Sequence, residues 1–379
     1  MSFWKSILRG AAHIEERVDS TLSGGGYKDV IIIPYMGYGT RQMLRLRGRV
    51  LSNHKVHEGQ QADGKIKNLR NFLRRLRTNE VPYANITATF GKQTRKVTAN
   101  EEGFFIVQFD LETLLPEETQ WIDIDLHYDD GEQQAHAVGR VIVPANSQYA
   151  VVSDMDDTVL KSDVTNLLKL LSNTFFQNEY TRTSFKGVAT FYQAMQDGTN
   201  PDTYNPIFYV SNSPYNLYDL IKRFLELNEI PLGPIFLRDF GLTQKYLLAS
   251  KQHKFETIDR LMTTYPDLPF ILIGDSGEHD ADIYLQVVET YPNRVKAIYI
   301  RDVHPHRMGT KQDKHVEAVA SKLESYGVDM LLIPNTANAA LHAANNAFIL
   351  PEAVQAVNDV KTSDQKSIKP EEVVDTIAP

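Results

Sequence analysis

An apolar run that ends abruptly in three carboxylates constrains the fold of this 379-residue chain more than any other stretch. Residues 149–163 read YAVVSDMDDTVLKSD, and the run 149–152 is too short for a helix but typical of a buried parallel strand. Open α/β sheets bind their ligands at the carboxyl ends of their strands. Asp154 and Asp156 are two residues apart, so in an extended segment their side chains leave the same face and can converge on one phosphate and one cation.

The pattern of Asp154, Asp156 and Thr158 after an apolar strand resembles the first motif of the haloacid-dehalogenase-like phosphotransferases. A solvated acidic turn is the alternative interpretation of this stretch taken alone. Three later segments, each at a strand end or a helix start, favour the phosphotransferase interpretation.

The first of these segments, NPIFYVSNSPYNLY at residues 205–218, predicts a strand that ends at Ser211 and Asn212. A helix is expected next, with Ser213 as its N-cap and Pro214 as its first residue. A hydroxyl beside backbone N–H groups at such a start forms an anion site. The segment therefore predicts phosphate contacts.

The other two segments supply a cation and further carboxylates. In KQHKFETIDRLM, residues 251–262, Lys254 is expected to open a helix, where it can neutralise phosphate charge. FILIGDSGEHDADIY, residues 270–284, predicts a strand that ends near Asp275 and Asp280, and carboxylate oxygens are the ligands that Mg2+ prefers.

The remaining pattern predicts four parts. Short alternating strands between about residues 29 and 145 indicate an all-β, sandwich-like domain, and strands that alternate with helices from residue 146 indicate an α/β domain with a parallel sheet. Residues 163–204 are expected to form a small cap, in which Arg182 and Lys186 either meet substrate phosphate or are surface charges. The predicted parts are an amphipathic helix and linker (1–28), a β-sandwich-like domain (29–145), a haloacid-dehalogenase-like phosphatase domain (146–350) and a partly disordered tail (351–379).

Composition and charge narrow the possible partners. The chain has 42% hydrophobic residues and no cysteine, which excludes disulfides and thiolate metal sites but does not fix the compartment. Because its N-terminal residues contain no apolar region of signal-peptide length and no apolar run is long enough to span a membrane, we expect a cytoplasmic protein. Residues 1–100 hold 18 Lys and Arg against 7 Asp and Glu, although the whole chain has a net charge of −8. Nucleic acid is a poor fit, because the catalytic half is acidic and no aromatic-rich stacking motif occurs.

Two amphipathic segments lie in this basic region. Residues 3–22 place Phe3, Trp4 and Ile7 near one helical face. Residues 64–80 predict a basic helix that carries Lys65, Lys67, Arg70, Arg74, Arg75 and Arg77. Each helix either lies on an anionic membrane surface, which would make the protein peripheral there, or covers its own protein.

The motifs DMDDTV, FYVSNSPYNLY, HKFETIDRL, LIGDSGEHDADIY and AIYIRDV, in this order behind a β-rich region, resemble the App1-like phosphatidate phosphatases. The resemblance covers roughly residues 145–345 and implies Mg2+-dependent hydrolysis of phosphatidate, a phosphorylated lipid, to diacylglycerol and phosphate. It implies Asp154 as nucleophile, Asp156 as acid and base, and Lys254 as the catalytic cation. Phosphate contacts are expected from Thr158, Arg182, Ser211 and Asn212, and metal contacts from Asp154, Asp156, Asp275 and Asp280.

Two other functions stay open at this stage. The chain could be a phosphatase for a soluble phosphomonoester, with the β domain serving oligomerisation or positioning. It could also be a membrane or protein adaptor whose phosphatase-like half is not catalytic, although an adaptor has no physical need to keep Asp154 and Asp156 together.

Overall fold

The computed structural model describes residues 30–52, 79–117, 120–144, 146–155, 179–238, 246–277, 279–303 and 309–366. For residues 179–186, 246–251 and 360–366 only the backbone is described. The predicted helix 3–22 lies outside these residues, and so does the basic helix up to residue 78. Its last two positions, Asn79–Glu80, form a short strand instead.

The N-terminal region is a mostly β structure, as the sequence predicts. Its described strands form one hydrogen-bonded sheet of nine strands, in the order β1-β3-β2-β9-β8-β5-β6, with β4 and β7 also paired to β3. The strands are β1 (Val30–Pro34), β2 (Gly37–Gly39), β3 (Met43–Ser52), β4 (Asn79–Glu80), β5 (Asn85–Phe90), β6 (Gln93–Thr98), β7 (Phe104–Asp110), β8 (Trp121–Asp129) and β9 (Gln134–Ile142).

Strict alternation of apolar and polar residues explains why these segments form strands with one buried face. In β8, Ile124, Leu126 and Tyr128 are buried, while the residues between them are exposed. Apolar residues of β3, β5, β7 and β8 meet in a single core, so the two ends of the sheet pack against each other.

The C-terminal region is a parallel sheet with helices. Its described strands are ordered β12-β11-β10-β13-β14-β15, and every pair is parallel. The strands are β10 (Ala150–Asp154), β11 (Ile207–Pro214), β12 (Ile235–Arg238), β13 (Phe270–Asp275), β14 (Val295–Arg301) and β15 (Asp329–Ile333). The helices are α1 (Glu179–Asp197), α2 (Tyr218–Leu227), α3 (Tyr246–Thr264), α4 (Asp280–Thr290), α5 (Lys311–Leu323), α6 (Thr336–Asn345) and α7 (Pro351–Lys366), with short 3-10 turns at Tyr215–Leu217 and Glu324–Tyr326.

The helices cover both faces of the parallel sheet, and the alternation of β10 shows which residue faces which layer. Val151 belongs to the core formed with α1, α2, α6 and α7. Ala150 and Val152 belong to the core formed with α3, α4 and α5. Because both faces are covered, the strand reads as a continuous apolar run rather than an alternating one.

The described residues bear on two predictions about the flanks of this sheet. Of the segment 163–204, which was expected to form a small cap, the described side chains of α1 pack against the sheet, and Phe191, Tyr192 and Met195 lie in its core. The predicted tail 351–379 begins with the helix α7, in which Val357 is buried in the same core. Among the described residues, no helix combines the length and the apolar composition needed to cross a bilayer.

A fully buried asparagine fixes the start of the central strand. Asn205 accepts hydrogen bonds through Oδ1 from the backbone N–H groups of Gln148 (2.9 Å) and Tyr149 (3.2 Å). Its Nδ2 donates to the carbonyl oxygen of Met195 at 3.0 Å. One side chain therefore satisfies three backbone groups where β10, β11 and α1 meet. These bonds fix the position of the residues that directly precede β10.

We expect Asn205→Ala to lower the free energy of unfolding by about 2–4 kcal/mol, because it leaves buried backbone groups without their hydrogen bonds. The measurement is the midpoint of urea unfolding. The matched control is Asn200→Ala, which removes only an exposed turn contact to the N–H of Asp202 and should cost less than about 1 kcal/mol. Equal effects of the two substitutions would contradict the role assigned to Asn205.

Candidate active site

Asp154, the last residue of the central strand β10, lies at the carboxyl edge of the sheet, where the residue is 1% exposed. Along β10, Ala150 and Val152 face the layer of α3 and α4, so strand alternation sends Asp154 to that layer as well. Asp154 pairs in register with Val210 of β11 on one side, and β13 lies on the other. The sequence prediction for this strand is confirmed.

A buried lysine stands between two carboxylates. Nζ of Lys254 lies 2.7 Å from Oδ1 of Asp154 and donates a hydrogen bond to Oδ1 of Asp280, also at 2.7 Å. Lys254 is 2% exposed and the side chains of both aspartates are 0% exposed. Lys254 does not open its helix as predicted, because α3 begins at Tyr246. It projects from within the helix, which packs along the sheet and directs the ammonium to the strand ends.

A third buried carboxylate completes the site. Asp275 is the last residue of β13, and its Oδ1 accepts a hydrogen bond from the N–H of Gly277 at 2.7 Å. Its own backbone N–H donates to Oδ2 of Asp280 at 3.0 Å. One carboxylate oxygen from each of Asp154, Asp275 and Asp280 lies within 4.8 Å of the others, a spacing that one cation can bridge.

Gly274 makes room for this arrangement. A Cβ at this position would lie 2.4 Å from Oδ2 and 2.8 Å from Cγ of Asp280, well inside van der Waals contact. Asp280 is held at the first turn of α4, so its side chain has little freedom to move away. The Gly-Asp pair at the end of β13 is therefore a steric requirement of the site as well as a strand end.

Two buried tyrosines flank the carboxylates. The hydroxyl of Tyr192 on α1 is hydrogen bonded to the hydroxyl of Ser153 (2.7 Å), which donates to the carbonyl oxygen of Asp154 (2.8 Å). Burial raises the pKa of Tyr192 to about 12. Tyr284 on α4 donates to the carbonyl oxygen of Ile273 at 2.8 Å, and burial raises its pKa well above the ordinary value. Both hydroxyls therefore stay neutral near pH 7.

The segment after Ser211 differs from the prediction. β11 continues to Pro214, and its pairing with β12 shifts register between Val210 and Pro214, so residues 211–213 form an irregularity of the strand. Ser213 is not an N-cap, because the following 3-10 turn has Pro214 in that position. Ser211 is buried, and its Oγ accepts a hydrogen bond from the N–H of Ser213 at 3.0 Å.

Several predicted site residues are not tested. Asp156 and Thr158 lie outside the described residues, and Arg182 belongs to the part of α1 of which only the backbone is described. Ser211 and Asn212 lie within β11, directly after Val210, the residue that pairs with Asp154, and this is the edge where they were expected. Their contact with phosphate stays a prediction.

Arg301, the basic residue of the motif AIYIRDV, also lies at this sheet edge, although the sequence analysis predicted no role for it. Arg301 ends β14 in register with Asp275, and its carbonyl oxygen accepts the N–H of Ser276 at 2.9 Å. Its charge also lowers the pKa of Tyr192, although burial outweighs it. The signal in the sequence is the same as for the carboxylates, since Arg301 follows an apolar run at a strand end.

Comparisons with known proteins find sequence similarity in the part of the chain that forms this site. Residues 149–302 match the sequence model of the family described as "Phosphatidate phosphatase APP1, catalytic domain". Phosphatidate phosphatase APP1 of Saccharomyces cerevisiae is 34% identical over 164 residues, which are 42% of this chain and 27% of that protein. An uncharacterized protein of Schizosaccharomyces pombe is 26% identical over 246 residues, which are 60% of this chain and 38% of that protein.

The chain thus spans 27% and 38% of the length of these two relatives. Among solved structures, a carbohydrate acetylesterase from Xanthomonas citri aligns over 76% of this chain and 73% of its own. Its TM-score is 0.25 at 10% identity, which is too low to support an argument about fold or function.

The segment that matches the family model holds Asp154, Lys254, Asp275 and Asp280, the residues that the structure brings together at one sheet edge. Sequence similarity and site geometry therefore fall on the same part of the chain, and residues 149–302 are similar to the catalytic domain of the App1-like phosphatidate phosphatases.

Proposed function

We propose that this chain is a Mg2+-dependent phosphatase that hydrolyses phosphatidate to diacylglycerol and phosphate. The reaction proceeds through an aspartyl-phosphate on Asp154, in a haloacid-dehalogenase-like domain. The observation that carries the proposal is the buried ammonium of Lys254 between Asp154 and Asp280, with Asp275 beside them at the carboxyl edge of a parallel sheet. The match of residues 149–302 to the App1 catalytic domain supports the same reaction.

The grouping of buried carboxylates supports a divalent cation at this site. Among the described residues, one oxygen from each of Asp154, Asp275 and Asp280 lies within 4.8 Å of the others, and buried charges in proteins are paired or bind metals. The donor set consists of carboxylate oxygens, which suit Mg2+. Asp154, Asp275 and Asp280 would hold the ion, with Asp156 as the further candidate. When bound, Mg2+ supplies positive charge to the phosphoryl oxygens.

The first chemical step belongs to Asp154. A carboxylate oxygen of Asp154 attacks phosphorus, a P–O bond to the enzyme forms, and the P–O bond to the lipid alkoxide breaks. Lys254 favours the ionised, nucleophilic form of Asp154 because its ammonium lies 2.7 Å away. Asp156 donates the proton that the leaving alkoxide needs.

The second step returns the enzyme to its starting state. Asp156 takes a proton from water, the water oxygen attacks phosphorus, and the bond to Asp154 breaks to release inorganic phosphate. Lys254 and the hydroxyl of Ser211 stabilise negative charge on the equatorial oxygens of the phosphoryl group. Such electrostatic stabilisation, together with positioning, accounts for most of the catalysis of phosphoryl transfer. Burial of the site keeps these interactions strong, since water would screen them.

Two observations support phosphatidate as the substrate. The chain is similar to a phosphatidate phosphatase of Saccharomyces cerevisiae, and residues 1–100 are basic. A lipid phosphatase must first reach an anionic surface, and basic residues near such a surface attract it. The predicted helices 3–22 and 64–80 would provide this contact, which makes the protein peripheral at the membrane.

We expect the wild-type protein to release phosphate from phosphatidate in mixed micelles only with Mg2+, and Asp154→Asn to retain less than about 1% of that rate, because an amide is a poor nucleophile. The measurement is phosphate release from phosphatidate beside a panel of soluble phosphomonoesters. Asp267→Asn is the matched control, since Asp267 is exposed at the opposite edge of the sheet. Turnover on soluble esters alone would favour the soluble-substrate alternative.

We expect Asp275→Asn to separate metal binding from folding. Without metal it should raise the melting temperature, because it removes one of three buried negative charges while Asn keeps the oxygen that accepts the N–H of Gly277. With Mg2+ the wild type should be stabilised by about 2.7 kcal/mol at a hundredfold excess over Kd, and the variant should gain almost nothing. Equal Mg2+ stabilisation of both proteins, measured by calorimetry, would refute this metal site.

Replacing Arg70, Arg74, Arg75 and Arg77 by glutamine should lower activity on anionic vesicles and leave activity on a soluble phosphomonoester unchanged. Each basic residue at the surface contributes about 1 kcal/mol of attraction, which salt weakens. The control removes the same charge from exposed positions outside the helix, namely Lys92, Lys96, Lys314 and Lys322. If both variants sediment with vesicles as the wild type does at low salt, the helix only covers its own protein.

A further inference from the structure

The N-terminal sheet contacts the residues that directly follow the irregular segment 211–213 of β11. Between Val210 and Pro214 the pairing of β11 with β12 shifts register, so the ladder between these two strands is irregular here. The 3-10 turn Tyr215–Leu217 follows at once. At that turn the N-terminal sheet makes one group of polar and aromatic contacts with the catalytic half, apart from the ring contacts of Tyr38 with Phe236 and of Trp121 with Tyr204.

The polar contact comes from a buried arginine of β3. Arg49 is 4% exposed, and its guanidinium donates to Oδ1 of Asn216 in the turn (2.5 Å). The same group donates to the carbonyl oxygen of Glu102 (2.8 Å) and to Oε1 of Glu80 (2.7 Å). Three bonds from one planar guanidinium define its orientation, and Asn216 is the partner in the catalytic half.

The aromatic contacts surround the same turn. The ring of Tyr215 stacks on Tyr35 with centroids 4.8 Å apart, and it lies edge-on to Phe104 at 5.5 Å. The guanidinium of Arg47 lies 4.3 Å from the ring centroid of Tyr215 and 4.5 Å from that of Phe104. Tyr218, the first residue of α2, accepts a hydrogen bond through its hydroxyl from the N–H of Met36 at 2.8 Å.

We propose that the N-terminal sheet positions the phosphate-binding segment Ser211–Ser213, with Arg49 as the positioning residue that acts through Asn216. This inference rests on the proposed function, because it assigns the segment to phosphate binding. Ser211 and Asn216 are five residues apart, and the buried side chain of Tyr215, which directly precedes Asn216, anchors the backbone between them. Small displacements of a group that orients the substrate lower catalysis steeply.

The chain offers a matched set of variants. Arg49→Met removes the guanidinium, and Asn216→Leu removes only its partner, at an exposed position whose loss does not threaten the core. Asn216→Asp keeps an acceptor oxygen for Arg49 and serves as the rescue. Arg45→Met is the control, since Arg45 lies on the same face of β3 but bonds to Gln108 in the N-terminal sheet.

The experiment measures KM and kcat for p-nitrophenyl phosphate, the inhibition constant of inorganic phosphate, and deuterium exchange of the backbone amides 211–217. Arg49→Met and Asn216→Leu should each raise KM and the phosphate inhibition constant about tenfold. Exchange at 211–217 should accelerate about tenfold in both. The Mg2+ concentration for half-maximal activity should not change. Asn216→Asp and Arg45→Met should behave as the wild type.

A double variant adds a second criterion. If Arg49 acts through Asn216, the combined loss of phosphate affinity should equal that of either single variant rather than their product. Unchanged exchange and unchanged phosphate affinity in Asn216→Leu would overturn the proposal. If the wild type neither binds phosphate nor hydrolyses any phosphomonoester, the proposed function fails, and the phosphate role of the segment fails with it. Deuterium exchange would then still decide whether the N-terminal sheet fixes the segment.

Discussion

The buried ammonium of Lys254 is the interaction on which the rest of the site depends. It lies 2.7 Å from a carboxylate oxygen of each of Asp154 and Asp280, which come from β10 and α4. Without it these carboxylates would face each other while buried, and burying an unpaired charge costs several kcal/mol. The lysine therefore determines how closely β10, α3 and α4 approach one another at the sheet edge.

The backbone near Lys254 also holds the carboxylates in position. Asp280 uses its two oxygens differently, one for Lys254 and one for the N–H of Asp275, so a single carboxylate links α3 to β13. This bond forms only because Gly274 carries no Cβ. Parallel pairing of β10 with β13 then places Asp154 beside these groups. The carboxylates converge because neighbouring parallel strands end at one edge, a consequence of topology rather than of sequence spacing.

That convergence explains what the sequence could predict. Apolar runs that end in Asp154 and Asp275 revealed the strand ends, and the edge on which they meet followed from the rule for parallel sheets.

The helical periodicity around Lys254 was sufficient to predict a helix but not its start, since α3 begins at Tyr246. Serine followed by proline imitates a helix start, and the structure instead has an irregular strand there, because Pro214 pairs with Arg238 of β12 and this long-range contact overrides the local preference. The role of Arg49 was beyond sequence reasoning, since its partner Asn216 is 167 residues away.

The cores show how far the two regions depend on each other. Tyr35 and Phe104, from the N-terminal region, belong to the core on one face of the parallel sheet, and Tyr38 and Ile142 belong to the core on the other. The segment that matches the family model ends at residue 302, yet β15, α6 and α7 lie beyond it and supply apolar residues to these cores. Residues 149–302 alone would therefore expose apolar surface on both faces of their sheet. The candidate site residues lie in the matched segment, but the packing that buries Lys254 and its carboxylates extends through most of the described chain.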